Sequence, residues 1–200
     1  VQHHIGSGIL GEKTFLFAMD ALLKIANQFE NLEFIDFGGG FGIPYNGEKE
    51  LVIDSLGKKI AKKFFDFCKS YGKSLSLHFE PGRYFVAQAG TLLCTVNTLK
   101  KTPKYNFVGV NSGFNHLIRP AMYGSFHKIE NCSNFQSKQK KYVVAGNICE
   151  SGDIFTRDEQ GIKEQKIAEI KEGDVLAILN AGAYGMSMAS QYNMRVLPAE

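Results

Sequence analysis

The sequence predicts a chain of mixed fold class, in which an α/β part is followed by an all-β part. Up to about residue 90, two amphipathic helix patterns alternate with short apolar segments. Beyond that point, strand-length apolar runs are separated by polar turns. With 44% hydrophobic residues and no low-complexity tract, the 200 residues have the composition of a folded protein. We therefore expect two domains, residues 1–93 and residues 94–200.

The α/β part is predicted from the spacing of its apolar residues. They recur every three or four positions across residues 15–29 and again across residues 56–71, as on one face of a helix. Short apolar strands ending at His4, Phe37 and Phe79 alternate with these helices and give a βαβαβ order with parallel strands. A closed (β/α)8 barrel needs eight strands. This part is therefore expected to be the C-terminal portion of a TIM-like barrel.

The β-rich part is predicted from short runs of β-branched, aromatic and other apolar residues. These runs are residues 92–96, 107–110, 142–145 and 175–179. An acidic, lysine-containing segment, residues 158–172, is expected to form a hairpin loop and a strand edge. Residues 181–190 show a weak helical pattern. We expect a β-barrel-like or sandwich-like domain.

Charge and hydropathy exclude several classes of partner. The net charge of +3 comes from 23 basic and 20 acidic residues spread along the chain, so no field of one sign would attract nucleic acid or lipid. No apolar stretch approaches the ~20 residues of a membrane span, and the first residues lack the layout of a signal peptide. We expect a cytoplasmic protein that binds neither nucleic acid nor membrane.

The cysteines predict neither a metal site nor a disulfide framework. Their spacings are wide and unequal and include no CxxC pair. Cys68 and Cys94 lie in apolar patterns and are expected to be core residues. Cys149 is followed by Glu150, whose charge opposes thiolate formation. We expect Cys149 to be a thiol that gives up a proton rather than a standing nucleophile.

A carboxylate and a guanidinium flank a tight turn at the end of a predicted strand. Glu80 and Arg83 stand on either side of Pro81 and Gly82, directly after the apolar run 75–77. Such a turn would hold both charges at the mouth of a sheet, where a ring nitrogen and a phosphate could each find a partner. A surface ion pair beside a turn is the alternative.

Two glycine-containing turns have features that suit the binding of a phosphate. The run Gly38 to Gly42 follows a buried strand, but its spacing is not GxGxxG and no helix begins at once, so a single phosphate fits better than a dinucleotide. Near the chain start, His4 precedes Ser7 by three residues. A flat imidazole can stack on a heteroaromatic ring and a hydroxyl can donate to phosphate. A packed or solvated histidine is the alternative for His4.

Six blocks spread over nearly the whole chain carry a family resemblance. In order they are HIGSG, GGGFG, EPGR, LIRPAMYG, CESGD and GAYGMSMASQYN. The sequence resembles the meso-diaminopimelate decarboxylases, pyridoxal-phosphate enzymes whose barrel is like that of alanine racemase. EPGR and GGG are shared with ornithine and arginine decarboxylases, whereas LIRPAMYG and CESGD narrow the resemblance to the diaminopimelate branch. It implies decarboxylation of meso-2,6-diaminopimelate to L-lysine and CO2, the last step of lysine biosynthesis.

The resemblance also implies how pyridoxal phosphate is held. Glu80 faces the ring nitrogen and His4 stacks on the ring, and both are implied to be catalytic. Gly82 and Arg83 belong to the cofactor site, with Arg83 assigned to the phosphate or to the substrate. The remaining phosphate contacts are assigned to Ser7, Gly38, Gly39, Gly40 and Tyr184.

Substrate choice is implied to rest on Arg119, Tyr123 and Glu150, with Tyr184 also at the substrate. A distal group that bears a carboxylate and an ammonium needs a cation and an anion opposite it. Ornithine has no distal carboxylate for Arg119. Cys149 is implied to protonate the reacting carbon from the neighbouring subunit, so a homodimer with shared active sites is expected.

The Schiff-base lysine of the family lies ahead of the HIGSG block, and no lysine of this chain matches it. The chain is therefore expected to be the C-terminal half to two-thirds of an enzyme and to be inactive alone. A related ornithine, arginine or carboxynorspermidine decarboxylase is the second interpretation, and a non-catalytic binding homologue is the third.

Overall fold

A computed structural model describes residues 1–200, which fall into two compact units, Val1–Phe85 and Val86–Glu200. We call them the N-terminal and the C-terminal unit. The domain boundary expected after residue 93 falls inside a strand that begins at Leu92. The units divide earlier because the backbone carbonyl oxygens of Ala87 and Gly90 accept hydrogen bonds from Gly182 and Ala181. The assignment of residues to domains stays a prediction.

The N-terminal unit contains two long helices and a short parallel sheet. Helix α1 spans Glu12–Ala26 and α2 spans Ile53–Tyr71, which confirms both predicted helices. Strand β1, Phe34–Asp36, pairs in parallel with β2, Ser76–His78. A short helix α3, Gly82–Val86, follows. The order is thus that of a β/α repeat.

The strand expected to end at His4 is reduced to a single parallel bridge between Gln2 and Asp36. After His4 the backbone does not stay extended, because Gly6 and Gly8 have φ angles of +116° and +74°, which lie outside the extended region.

The apolar faces of the helices and strands form one core in this unit. Residues of α1 and α2 spaced by three or four positions turn toward the sheet, as the periodicity predicts. The buried helix residues are Phe15, Met19, Leu22, Leu23, Ala26, Leu56, Ile60 and Phe64. On the outer surface, the ammonium groups of Lys59 and Lys63 pair with the carboxylates of Glu12 and Asp20 and join the two helices.

The C-terminal unit is built on a six-stranded mixed sheet with the order β5-β10-β3-β4-β6-β9. The pair β4–β6 is parallel and the other pairs are antiparallel. A small hairpin, β7–β8, stands apart from this sheet. The strands are β3 Leu92–Lys101, β4 Asn106–Val110, β5 Ile129–Asn131, β6 Gln139–Ala145, β7 Arg157–Asp158, β8 Gly161–Ile162, β9 Gln165–Ala168 and β10 Val175–Ile178.

The two ends of this sheet approach each other, so it is nearly closed. The side-chain amide of Gln165 in β9 donates a 2.8 Å hydrogen bond to the carbonyl of His127, just before β5. Its oxygen accepts a 3.1 Å hydrogen bond from the N–H of Ile129. Inside the sheet, the core is made of fully buried side chains such as Val96, Val108 and Leu176.

Two local expectations for this unit were incomplete. The weak helical pattern at residues 181–190 gives only a three-residue 3-10 helix, Met186–Met188. A longer helix is interrupted because Tyr184 has a φ of +59°. A helix that the periodicity did not indicate, α4, spans Arg119–Tyr123 and begins with proline in its first turn. Across both units, no helix combines the length and apolar content required to cross a membrane.

Candidate active site

Three loops that are far apart in sequence meet in the N-terminal unit. The N–H of Glu80 donates a 2.8 Å hydrogen bond to the carbonyl of Gly38. The N–H of Ile9 donates an equally short bond to the carbonyl of Gly40. The HIGSG and EPGR segments are therefore both held against the glycine triplet Gly38–Gly40 by backbone contacts.

The glycine triplet has no room for side chains. A Cβ at Gly38 would collide with the carbonyl oxygen of His3, and one at Gly39 with that of Glu80. A Cβ at Gly40 would lie 2.9 Å from the carbonyl oxygen of Gly6. Gly38 and Gly40 also have φ angles of +61° and +99°, which favour glycine. The triplet thus permits the close approach of the two other loops.

The triplet offers fewer donors to a ligand than the sequence indicated. The N–H of Gly38 donates to Asp36 Oδ1 at 2.8 Å, and the N–H of Gly39 donates to His4 Nδ1 at 3.3 Å. A phosphate contact through these two N–H groups is therefore not available in this geometry. Within the residues described, the N–H of Gly40 makes no hydrogen bond to the protein. Gly40 is the member of the triplet that can donate to a ligand.

The ring of His4 is oriented by the same contact. Because the Gly39 N–H donates to Nδ1, that nitrogen carries the lone pair, and in the neutral ring the proton lies on Nε2. The His4 side chain is exposed. One edge of the ring is thus fixed against the glycine triplet, while the residue remains exposed to solvent.

Arg83 connects the EPGR turn to the HIGSG loop. Its Nε and Nη2 donate to Ser7 Oγ at 3.3 and 2.8 Å, and its Nη1 donates to the phenol oxygen of Tyr45 at 3.0 Å. Since Ser7 Oγ accepts from the guanidinium, its own proton remains available for a ligand. Gly82 begins helix α3. Glu80 is exposed and lies on the same turn.

In the C-terminal unit, Arg119 is buried at the start of α4 with only 6% of its surface exposed. Its Nη1 lies 2.8 Å from Nε2 of His127, and its Nη2 donates to Ser125 Oγ at 3.2 Å. Tyr123, at the end of the same helix, is exposed, and so is Tyr184. A cation is thus held inside this unit on a short, well-defined helix.

The CESGD loop presents Cys149 and Glu150 at the surface of the C-terminal unit. The buried carboxylate of Asp153 fixes this loop, because it accepts 2.7 Å hydrogen bonds from the N–H groups of Phe114 and Ile148. Burial raises the pKa of Asp153 above its usual range, while these two hydrogen bonds oppose the shift. The carboxylate of Glu150 accepts from Ser151 and Gly152.

The cavities of the two units do not coincide with the predicted site residues. A cavity of about 560 Å³ in the C-terminal unit is lined by residues such as Asn111 and Ser112. A groove of about 430 Å³ in the N-terminal unit is apolar and lined by residues such as Phe41 and Leu77. Neither contains a predicted site residue, because most of those residues lie on exposed loops.

Comparison with known proteins agrees with the arrangement of these loops. A family model described as "Pyridoxal-dependent decarboxylase, C-terminal sheet domain" matches residues 16–182. The chain belongs to this decarboxylase family. The six blocks of the resemblance fall within or next to the matched region.

Individual relatives of the family carry a more specific name. The diaminopimelate decarboxylase of Methanothermobacter thermautotrophicus is 49% identical over the whole chain, which covers 47% of that relative. A crystal structure of diaminopimelate decarboxylase has a TM-score of 0.92 at 36% identity, with 100% of this chain and 49% of that chain covered. The M. jannaschii enzyme in complex with L-lysine has a TM-score of 0.87 at 36% identity, with 99% and 45% covered. The chain thus spans about half the length of these relatives.

The donor set of the N-terminal unit fits the family's cofactor. Ser7 Oγ–H, the N–H of Gly40 and the guanidinium of Arg83 supply donors suited to a phosphate. The exposed imidazole of His4 and the carboxylate of Glu80 suit a protonated heteroaromatic ring.

Three residues that organise these sites were missed by the sequence analysis, namely Tyr45, His127 and Asp153. Tyr45 and His127 act through tertiary contacts to arginines, and no local pattern marks such contacts. Asp153 stands inside the CESGD block, which was the only signal that could have drawn attention to it.

We expect Gly39→Ala to lower the free energy of unfolding by about 1–3 kcal/mol, because the added Cβ meets the carbonyl of Glu80 and the ring of His4. Chemical denaturation measures the change. Gly57→Ala is the control: it lies inside α2 with nothing within 4 Å of the added Cβ, and it should stabilise the protein by about 0.5–1 kcal/mol. An unchanged denaturation midpoint for Gly39→Ala would contradict the packing described.

We expect Asp153→Asn to lower the free energy of unfolding by about 1–3 kcal/mol. The carboxylate accepts two N–H groups, whereas an amide turns its own NH2 toward one of them. Denaturation curves report the loss. The matched substitution Asp66→Asn removes only a surface pair with Lys62 and should change stability by less than about 1 kcal/mol. Equal effects of the two substitutions would show that Asp153 does not fix the loop.

Proposed function

We propose that this chain is the C-terminal part of an enzyme that uses pyridoxal 5'-phosphate to decarboxylate meso-2,6-diaminopimelate to L-lysine and CO2. The observation that carries the proposal is the meeting of the HIGSG, GGGFG and EPGR loops, which supports a common site for the cofactor. The name shared by relatives that match the whole chain supports the reaction.

Cofactor binding is assigned to the N-terminal unit. Ser7, Gly40 and Arg83 would hold the phosphate, and His4 would stack on the ring. Gly38 and Gly39 act by letting the loops approach, and Gly82 is part of the EPGR turn. When bound, pyridoxal phosphate supplies an electron-accepting ring that stabilises negative charge on the carbon that loses CO2.

Glu80 controls the charge of that ring. Its carboxylate would hold a proton on the ring nitrogen through a charge-assisted hydrogen bond. The position of Glu80 supports this role, because its backbone is fastened to Gly38 and its side chain remains exposed at the turn.

Recognition of the distal amino-acid group is assigned to Arg119, Tyr123 and Glu150, with Tyr184. A buried guanidinium and an exposed carboxylate suit the carboxylate and the ammonium of that group. The complex of the M. jannaschii relative with L-lysine is consistent with an amino-acid ligand.

Cys149 would donate the proton that replaces CO2 on the reacting carbon. Its exposure on a loop fixed by Asp153 supports this role. We infer that Cys149 and Glu150 of one chain complete the site of a second chain, which makes the enzyme a homodimer. We also infer that the N-terminal unit is the last part of a (β/α)8 barrel and that the protein is cytoplasmic.

The proposal is tested on the complete protein with a substrate panel and borohydride reduction. We expect CO2 release from meso-diaminopimelate and not from ornithine. After reduction and peptide mapping, we expect a pyridoxyl-lysine in a peptide that precedes Val1. Preference for ornithine or arginine would favour a related decarboxylase. The absence of any pyridoxyl-lysine would leave a binding role instead.

We expect Tyr45→Phe to raise the dissociation constant for pyridoxal phosphate by about three- to tenfold, because Arg83 loses a hydrogen bond that orients it. Titration of the apoprotein, followed by absorbance, measures the affinity. Tyr71→Phe is the matched control. It removes hydrogen bonds to the backbone of Phe29 and Leu32, which precede β1, whereas the glycine triplet follows that strand, and it should lower stability without changing the affinity. Equal affinities of Tyr45→Phe and the wild type would refute the role of Tyr45.

A further inference from the structure

His127 occupies a fully buried position between a carbonyl and a guanidinium, with 0% of its surface exposed. Its Nδ1 lies 2.8 Å from the carbonyl oxygen of Leu179, and its Nε2 lies 2.8 Å from Arg119 Nη1. A carbonyl oxygen only accepts hydrogen bonds, so Nδ1 carries a proton. A guanidinium only donates them, so Nε2 carries a lone pair. The imidazole is therefore neutral and has a single tautomer.

The position of this ring is set by the sheet rather than by the arginine. Leu179 directly follows β10, and Gln165 of β9 fixes the backbone of His127 from the other side. Arg119, by contrast, stands on the five-residue helix α4. The ring thus forms a rigid acceptor against which the guanidinium is aligned.

A neutral acceptor has a particular consequence for a buried arginine. It fixes the plane of the guanidinium without opposing its positive charge, whereas a carboxylate partner would offset that charge. Ser125 Oγ, the acceptor of Nη2, is neutral as well. These two contacts orient the guanidinium without placing a negative charge on the nitrogens that make them.

We propose that His127 is a positioning residue for substrate, which as a neutral imidazole aligns Arg119 with the distal carboxylate of an amino-acid substrate. This inference rests on the function proposed above. His127 does not contact the reacting atoms, so it acts on substrate affinity through Arg119 and leaves the chemical step unaffected.

The test compares variants of the complete holoenzyme with diaminopimelate as substrate. His127→Phe keeps the ring volume and removes the acceptor, and it should raise KM about tenfold while kcat stays within about twofold. His127→Gln places an amide oxygen near the position of Nε2 and should recover most of the affinity. His127→Asn keeps a donor for the carbonyl of Leu179 but has no acceptor that reaches Arg119. If His127→Phe does not fold, His127→Asn is tested in its place.

A double-mutant cycle separates positioning from a general loss of structure. If His127 acts through Arg119, then the variant carrying both His127→Phe and Arg119→Ala should have the KM of Arg119→Ala alone. Tyr142→Phe is the control, because the Tyr142 hydroxyl accepts a hydrogen bond from the N–H of Ile170 and makes none to His127 or Arg119. It should lower the unfolding temperature and leave KM unchanged.

Several outcomes would overturn the inference. They are an unchanged KM in His127→Phe, additive effects in the cycle, or a Gln variant as impaired as the Phe variant. Each leaves the proposed function intact, provided that the wild type decarboxylates diaminopimelate. A wild-type enzyme that does not turn over this substrate would overturn both proposals.

Discussion

The arrangement of the candidate active site depends on one steric constraint, the absence of side chains at Gly38–Gly40. The carbonyls of His3, Gly6 and Glu80 occupy the space that three Cβ atoms would need. This close packing brings the loop with His4 and Ser7 and the turn with Glu80 and Arg83 to the same strand end. Since parallel strands present their carboxyl ends at one edge, the constraint brings distant sequence blocks together at one place.

The C-terminal unit uses buried polar groups for the same purpose of holding functional side chains in place. Arg119 is aligned by the neutral ring of His127, and the loop with Cys149 and Glu150 is fixed by the carboxylate of Asp153. In both arrangements the buried polar atoms described above have hydrogen-bond partners, as burial requires. The buried groups thereby fix the positions of a buried guanidinium and of an exposed loop.

The sequence predicted those elements that are marked by a residue pattern within the element itself. Helical periodicity located α1 and α2, and strand-length runs located the longer strands of the mixed sheet. The helix expected at residues 181–190 was wrong, because the positive φ of Tyr184 depends on its surroundings rather than on composition. The N–H groups of Gly38 and Gly39 were expected to face a phosphate, but Asp36 and His4 accept them. Side-chain partners from distant segments, such as that of His127, have no signature in a single sequence.

The central claim is that Glu80 and the glycine triplet together define the place of one phosphorylated pyridine. A crystal structure of the complete protein with pyridoxal phosphate tests it most directly. We expect the Glu80 carboxylate within hydrogen-bond distance, about 2.6–3.2 Å, of the ring nitrogen, with the phosphate against Ser7, Gly40 and Arg83. A cofactor whose ring nitrogen faces another residue, or whose phosphate lies away from the triplet, would contradict this account.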